Sequence, residues 1–125
     1  MMKVSSLQAA SPATPSTSRL WQTICAKQDL PPHAGVCVRL NERHVAIFFC
    51  ARTGALYAVD NFDPIDKTSV LSRGIIGSIG EEAVVASPLF KQHFNLKTGQ
   101  CLEQPDIQLK TYPIRCHEGL VQVAV

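Results

Sequence analysis

The chain reads as a small all-β domain of short strands joined by hairpins. Three observations lead there. Apolar runs of strand length recur at short intervals, each bounded by Gly, Pro, Asn or Asp. The longest apolar run, Val45–Ala51, is only seven residues. No segment carries a sustained 3.6-residue apolar period, so no long amphipathic helix is expected.

The elements follow in order. Residues 1–19, "MMKVSSLQAASPATPSTSR", are rich in Ser, Thr, Pro and Ala. They lack the continuous apolar stretch of a secretory signal, and they offer too little apolar surface to offset ordering entropy. A flexible tail is expected there, with one domain over 20–125. "WQTIC" (Trp21–Cys25) is a strand, and "AKQDLPPHAG" a connection. "VCVRL" (Val36–Leu40) sets Val36, Val38 and Leu40 on one strand face. "NERH" turns into "VAIFFCA", apolar on both faces and therefore expected at the centre, covered on both sides. "RTG" leads into "ALYAVD" (Ala55–Asp60), completing a hairpin. "EAVVAS" (Glu82–Ser87) is another strand, followed by "HFNL" and the turn "KTGQ". "LKTYPIRC" and "LVQVAV" around "HEG" predict a closing hairpin. Residues 61–80 and 87–93 break this rhythm and read as loops, where function on a sheet scaffold usually sits. A helical turn is expected in 66–74, capped by Asp66 or Thr68.

Composition narrows the function. A net charge of +2, with the 12 Lys and Arg scattered and few aromatics, gives no nucleic-acid footprint. No apolar run approaches the roughly 18 residues of a membrane helix. Cys25, Cys37, Cys50, Cys101 and Cys116 are odd in number and never closer than 12 residues. They form neither a disulfide framework nor a zinc ribbon, and buried reduced thiols are expected.

Candidate chemistry is sparse. Ser87, His93 and Asp63 or Asp66 could be imagined as a nucleophile–base set. There is no G-x-S-x-G elbow, however, and Pro88 removes the backbone N–H an oxyanion hole would need. Gly74, Gly77 and Gly80 match no phosphate-binding spacing. His33, His44, His93 and His117 are dispersed. Pro64 interrupts the Asp60, Asp63, Asp66 repeat, and no spaced Glu completes a calcium loop.

Two boxes remain: "YAVDNFDPID" (Tyr57–Asp66) and "VVASPLFKQHFNLKTGQCLE" (Val84–Glu103). Together they resemble the two ligand loops of a Rieske domain, in which C-P-H and C-P-x-H motifs hold a [2Fe–2S] cluster. In that alignment the cysteines fall on Asp63 and Ser87, the prolines on Pro64 and Pro88, and the histidines on Ile65 and Phe90. All four ligands are replaced. Such a cluster needs thiolate sulfur and imidazole nitrogen, which methyl, phenyl, hydroxyl and carboxylate groups do not supply. With "DNFDPI", "VLSRGIIG", "ASPLFKQHFNL" and "TGQCLE", the chain over about 21–125 is similar to the small subunits of NAD(P)H-dependent nitrite reductases.

That resemblance implies a Rieske-like antiparallel β-sandwich with two ligand-type loops and no cofactor or metal in this chain. It implies a large-subunit partner carrying FAD, a [4Fe–4S] cluster and siroheme, which reduces nitrite to ammonium in the cytoplasm for nitrate assimilation. The role left for this chain is binding. By analogy with Rieske domains, a loop tip presenting Asp63, Asp66, Lys67, Arg73, Lys91, Gln92 and His93 would dock the partner. The alternative is a free-standing interaction or regulatory module without redox activity. An enzyme in its own right would need a reactive group that the sequence does not show.

Overall fold

A computed structural model describes residues 20–88 and 92–125. Strand β1 is Trp21–Ala26, β2 Gly35–Leu40, β3 Arg43–Cys50 and β4 Ala55–Asp60. Two short strands follow, β5 (Phe62–Asp63) and β6 (Thr68–Ser69), then β7 (Ile75–Ile79), β8 (Glu82–Ala86) and β9 (His93–Asn95). The closing hairpin is β10 (Ile114–His117) and β11 (Leu120–Ala124). Every pairing between these strands is antiparallel. They form three three-stranded sheets, in the orders β2-β3-β4, β9-β8-β7 and β10-β11-β1, and the small pair β5-β6.

β3 organises the core because it is apolar on both faces. Ala46 and Phe48 pack with Val59, Leu71, Val85, Phe94, Leu96, Cys101 and Leu109. Val45 and Ile47 point the other way, onto Leu30, Leu40, Ala58, Tyr112, Val121 and Val123. The central sheet is thus covered on one side by the β7–β9 sheet and on the other by β10-β11-β1, as the continuous apolar run of β3 predicts. β2 alternates as expected, with Val36, Val38 and Leu40 turned inward and Cys37 and Arg39 outward. The 108–113 stretch covers the outer edge of β4. Asp60 N–H donates to Lys110 O and Tyr112 N–H to Ala58 O, both at 2.9 Å, so this edge is not left open to other chains.

Four expectations need correction. Residues 75–79 are not loop but strand β7, an outer strand paired with β8. Interspersed Gly77 and Ser78 mask the β-branched signal of Ile75, Ile76 and Ile79. The helical turn is a single 3₁₀ turn, Leu71–Arg73. Thr68 lies in β6, and neither it nor Asp66 caps the turn. Asn61, remote in sequence, does so by accepting from Ser72 N–H at 2.6 Å. The last hairpin begins at Ile114, not at Leu109, because Pro113 has no N–H for a ladder. Of the five cysteines, all free, only Cys50 and Cys101 are buried, whereas Cys37 and Cys116 are exposed.

Candidate functional site: two loops joined by side chains

The first loop leaves β4 at Asp60 and is shaped by two buried polar residues. Asn61 N–H donates to His44 O at 2.9 Å, and Asn61 O accepts from both Val70 and Leu71 N–H at 3.0 Å. Its amide Nδ2 donates to Ser69 Oγ at 3.1 Å. One side chain and its backbone thereby tie both ends of the 61–72 loop together. Asp63 is wholly inaccessible to solvent. Its Oδ1 accepts from Ile65 N–H (2.8 Å) and Asp66 N–H (3.1 Å), the local turn that an Asp before Pro favours. Lys67 closes that turn at φ +61, donating its N–H to Asp63 O at 2.6 Å.

The second loop starts where β8 ends. Ser87, 1% exposed, donates through Oγ to Asp63 Oδ2 at 2.6 Å. Its N–H donates to Gln92 O at 2.8 Å, drawing the ends of the loop together. Gly74 brings the end of the first loop against strand β8, since a Cβ there would lie 2.4 Å from Ala86 O and 2.7 Å from Val85 Cγ2. Only a residue without a side chain allows that approach. On the far side of the loop, His93 N–H donates to Glu103 Oε1 at 2.8 Å, and His93 Nδ1 lies 2.6 Å from Glu103 Oε2. Burial works to raise the Glu103 pKa, but the hydrogen bonds from the His93 backbone and ring outweigh it and hold the carboxyl below its ordinary range. Burial raises the pKa of the Cys101 thiol, which packs in the core beside Glu103.

Asp63 and Ser87, the two positions aligned with cluster cysteines, therefore meet, although 24 residues separate them. Ile65 is half-buried and packs against the core around Phe48 and Phe94. Phe90 lies outside the described residues, as do Lys91 and the 1–19 segment. The donor set does not fit a [2Fe–2S] cluster. The Asp63 oxygens already accept three hydrogen bonds, the Ser87 hydroxyl is committed to one of them, and Ile65 and Phe90 have no donor atom.

The catalytic arrangement fares no better. Ser87 is buried and donates to Asp63, and His93 is turned to Glu103. Among the described residues no group of three or more His, Cys, Asp and Glu could hold a metal ion. No helix among them is long and apolar enough to cross a membrane.

The expected docking tip is partly redistributed. Lys67 and Arg73 are exposed, while Asp66, Gln92 and His93 are half-buried. Asp63, expected on the surface, is instead the buried centre of the first loop, because two backbone N–H groups and a hydroxyl draw its carboxylate inward. Asn61, Glu103, Asn95 and Glu82 were missed by the sequence reading. Asn95 Oδ1 accepts from Lys97 and Thr98 N–H at 2.8 and 3.0 Å, and its Nδ2 donates to Glu82 Oε1. Asn two residues before a Lys–Thr–Gly turn was a legible signal for the first of these contacts. The Glu82 contact was not, since it joins different strands.

Three stacked antiparallel layers and two adjoining loops closed on each other define a Rieske-type domain in which hydrogen bonds stand where ligands would. Residues 20–124 match the model of the Rieske-like [2Fe-2S] domain family. The chain is 42% identical over 103 residues to the nitrite reductase (NADH) small subunit of Escherichia coli strain K12, covering 82% of this chain and 95% of that protein. A crystal structure from Mycobacterium tuberculosis, assigned as an NADH-dependent nitrite reductase small subunit, superposes with a TM-score of 0.83 at 42% identity, over 86% of this chain and 96% of that one. The Klebsiella oxytoca nitrite reductase [NAD(P)H] large subunit contains a segment 40% identical over 113 residues, 90% of this chain but 11% of that protein. The chain belongs to the Rieske-like domain family, among its nitrite reductase small subunits.

Proposed function

We propose that this chain is the non-metal-binding small subunit of an NAD(P)H-dependent nitrite reductase and acts by docking on the large subunit. The observation that carries the reading is the Klebsiella oxytoca relative, in which a closely similar segment is part of the large-subunit polypeptide itself. A domain that occurs both as a separate chain and fused to the larger one is suited to work in contact with it. The loop chemistry supports the same division of labour. With its two loops joined by Asp63 and Ser87, the chain offers shape and charge rather than a redox centre. Family resemblance assigns FAD, a [4Fe–4S] cluster and siroheme to the large subunit, where nitrite is reduced to ammonium in the cytoplasm. Residues 20–125 are the docking domain, with 1–19 as a separate tail.

The docking face we favour is the loop tip: Asp66, Lys67, Arg73, Lys91, Gln92 and His93. Exposed Lys67 and Arg73 offer cationic anchors, and the planar guanidinium suits a carboxylate on the partner. The test is co-purification from cells expressing both subunits. Wild-type chain is expected to recover a flavin- and haem-coloured partner, and Arg73→Glu with Lys91→Glu to recover much less. Undiminished recovery of the double variant would reject the tip. No recovery by the wild type would reject the subunit reading in favour of a free-standing module. Iron and labile sulfide measured on the purified chain alone are expected to be absent.

A further inference from the structure

The outer edge of β7 is unusual for a natural sheet. β7 borders its sheet with the sequence Ile75-Ile76-Gly77-Ser78-Ile79, which holds no charge and no proline. Ile75 is 75% exposed and Ile79 48% exposed. Natural proteins usually blunt such an edge with Lys, Pro or a bulge, or cover it. Among the described residues, none of Ile75–Ile79 makes a backbone hydrogen bond outside its own hairpin.

The ladder fixes which groups are free. Gly80 (φ +64) and Glu81 form a two-residue turn, so the flanking pair Ile79↔Glu82 exchanges hydrogen bonds. Alternation then directs the N–H and C=O of Ile75, Gly77 and Ile79 toward β8, and those of Ile76 and Ser78 outward.

The sequence around this edge is nearly symmetric about Gly77, with Ile75 mirrored by Ile79 and Gly74 by Gly80, and only Ile76 and Ser78 differing. We propose that β7 pairs antiparallel with β7 of a second copy, with the two-fold axis at Gly77, to give a continuous six-stranded sheet. In that register Ile76 of one copy faces Ser78 of the other, so both outward-pointing pairs are satisfied. Gly77 meets Gly77 at a non-hydrogen-bonded position, where the backbones approach to about 4.5 Å and the lack of a side chain is an advantage. A Cβ at Gly77 would have nothing within 4 Å in the single chain, so no neighbour within the chain demands glycine there. Ile75 stands opposite Ile79 of the partner copy twice over, which covers the exposed apolar side chains. One step beyond the strand ends the same register sets Gly74 against Gly80, and a second step, into the turns at each end, leaves exposed Arg73 near exposed Glu81. Opposite charges therefore lie within reach of each other at both ends of the proposed contact. A self-complementary patch of this kind is what a closed two-fold dimer requires. Its small area makes the dimer weak and concentration-dependent.

This proposal does not depend on the nitrite reductase reading, and its test uses the full chain alone. Sedimentation equilibrium from micromolar to near-millimolar concentration is expected to show a monomer–dimer equilibrium. Ser78→Pro removes an outward N–H without touching the β8 ladder and should weaken the dimer at least about tenfold. A circular dichroism melt checks that the variant is folded. Arg73→Glu should also weaken the dimer, and Arg73→Glu with Glu81→Arg should restore it, because the swap reinstates the cross-copy pairing. A wild-type chain that stays monomeric throughout would overturn the proposal. So would a dimer indifferent to Ser78→Pro and to the charge swap. A monomeric chain whose Ser78→Pro variant loses the large subunit in co-purification would assign this edge to that partner instead, which also rejects self-pairing.

Discussion

The join between the two loops can be measured by a double-mutant cycle on Asp63 and Ser87. Asp63 is fully buried, and its carboxylate accepts from Ser87 Oγ at 2.6 Å and from the Ile65 and Asp66 N–H groups. Ser87→Ala leaves Oδ2 without its donor, and a buried polar atom stripped of its partner costs about 1–3 kcal/mol. Asp63→Ala costs more, because it orphans a hydroxyl and two backbone donors together. A total of roughly 3–5 kcal/mol is expected, in the range seen when a buried polar network loses its central member. Asp63→Asn is the mild member of the series. Its amide oxygen can still accept from the two N–H groups, and its Nδ2 can donate to a rotated Ser87 hydroxyl.

The double variant Asp63→Ala/Ser87→Ala should fall short of additivity by about 1.5–3 kcal/mol, since the second deletion removes a group the first has already left unpaired. Urea unfolding followed by circular dichroism measures all four corners of the cycle. Additive losses, or a Ser87→Ala cost below about 0.5 kcal/mol, would show that the two loops are not held by this contact.

Two further predictions follow from the same structure. Gly74→Ala places a Cβ 2.4 Å from Ala86 O, so strand β8 must shift; a loss of at least about 1–3 kcal/mol is expected in the same urea assay, against little change for Gly77→Ala, which meets nothing. Tyr112 is buried and donates to Asp60 Oδ1 at 2.5 Å, and burial first, then that hydrogen bond, push its pKa from 10.0 up to about 12. The folded chain then holds a proton that the unfolded chain releases. This stabilisation is complete below about pH 10 and is lost as the pH rises through about 12, roughly 2–3 kcal/mol in all. Tyr112→Phe should flatten the alkaline arm of the stability–pH curve, and an unchanged arm would reject the assignment.

Much of the fold was legible locally. Short apolar runs punctuated by Gly, Pro and Asn fix strand content, and β3 announces its central position through apolar residues on both faces. The donor chemistry at the positions aligned with Rieske ligands is legible too, because it belongs to residue type. β7 was not, since its isoleucines are interrupted by Gly77 and Ser78 and its stabilising partner lies across the hairpin. The placement of Asp63 was misread for a related reason. An aspartate in a polar loop looks exposed until the hydroxyl 24 residues away is brought to it.

The sequence by itself determined an all-β chain with two Rieske-type loops in which the aligned ligand positions carry Asp, Ile, Ser and Phe, because strand propensity and side-chain chemistry act within a few residues. Only the tertiary structure decided what stands around those loops: Asp63 against Ser87, Asn61 bracing the first loop, His93 turned to Glu103, and β7 at the edge of its sheet, without an outward backbone partner among the described residues. Those outcomes rest on which strands become neighbours. Pairing is settled by burial summed over both faces of β3, not by any stretch of the chain read alone.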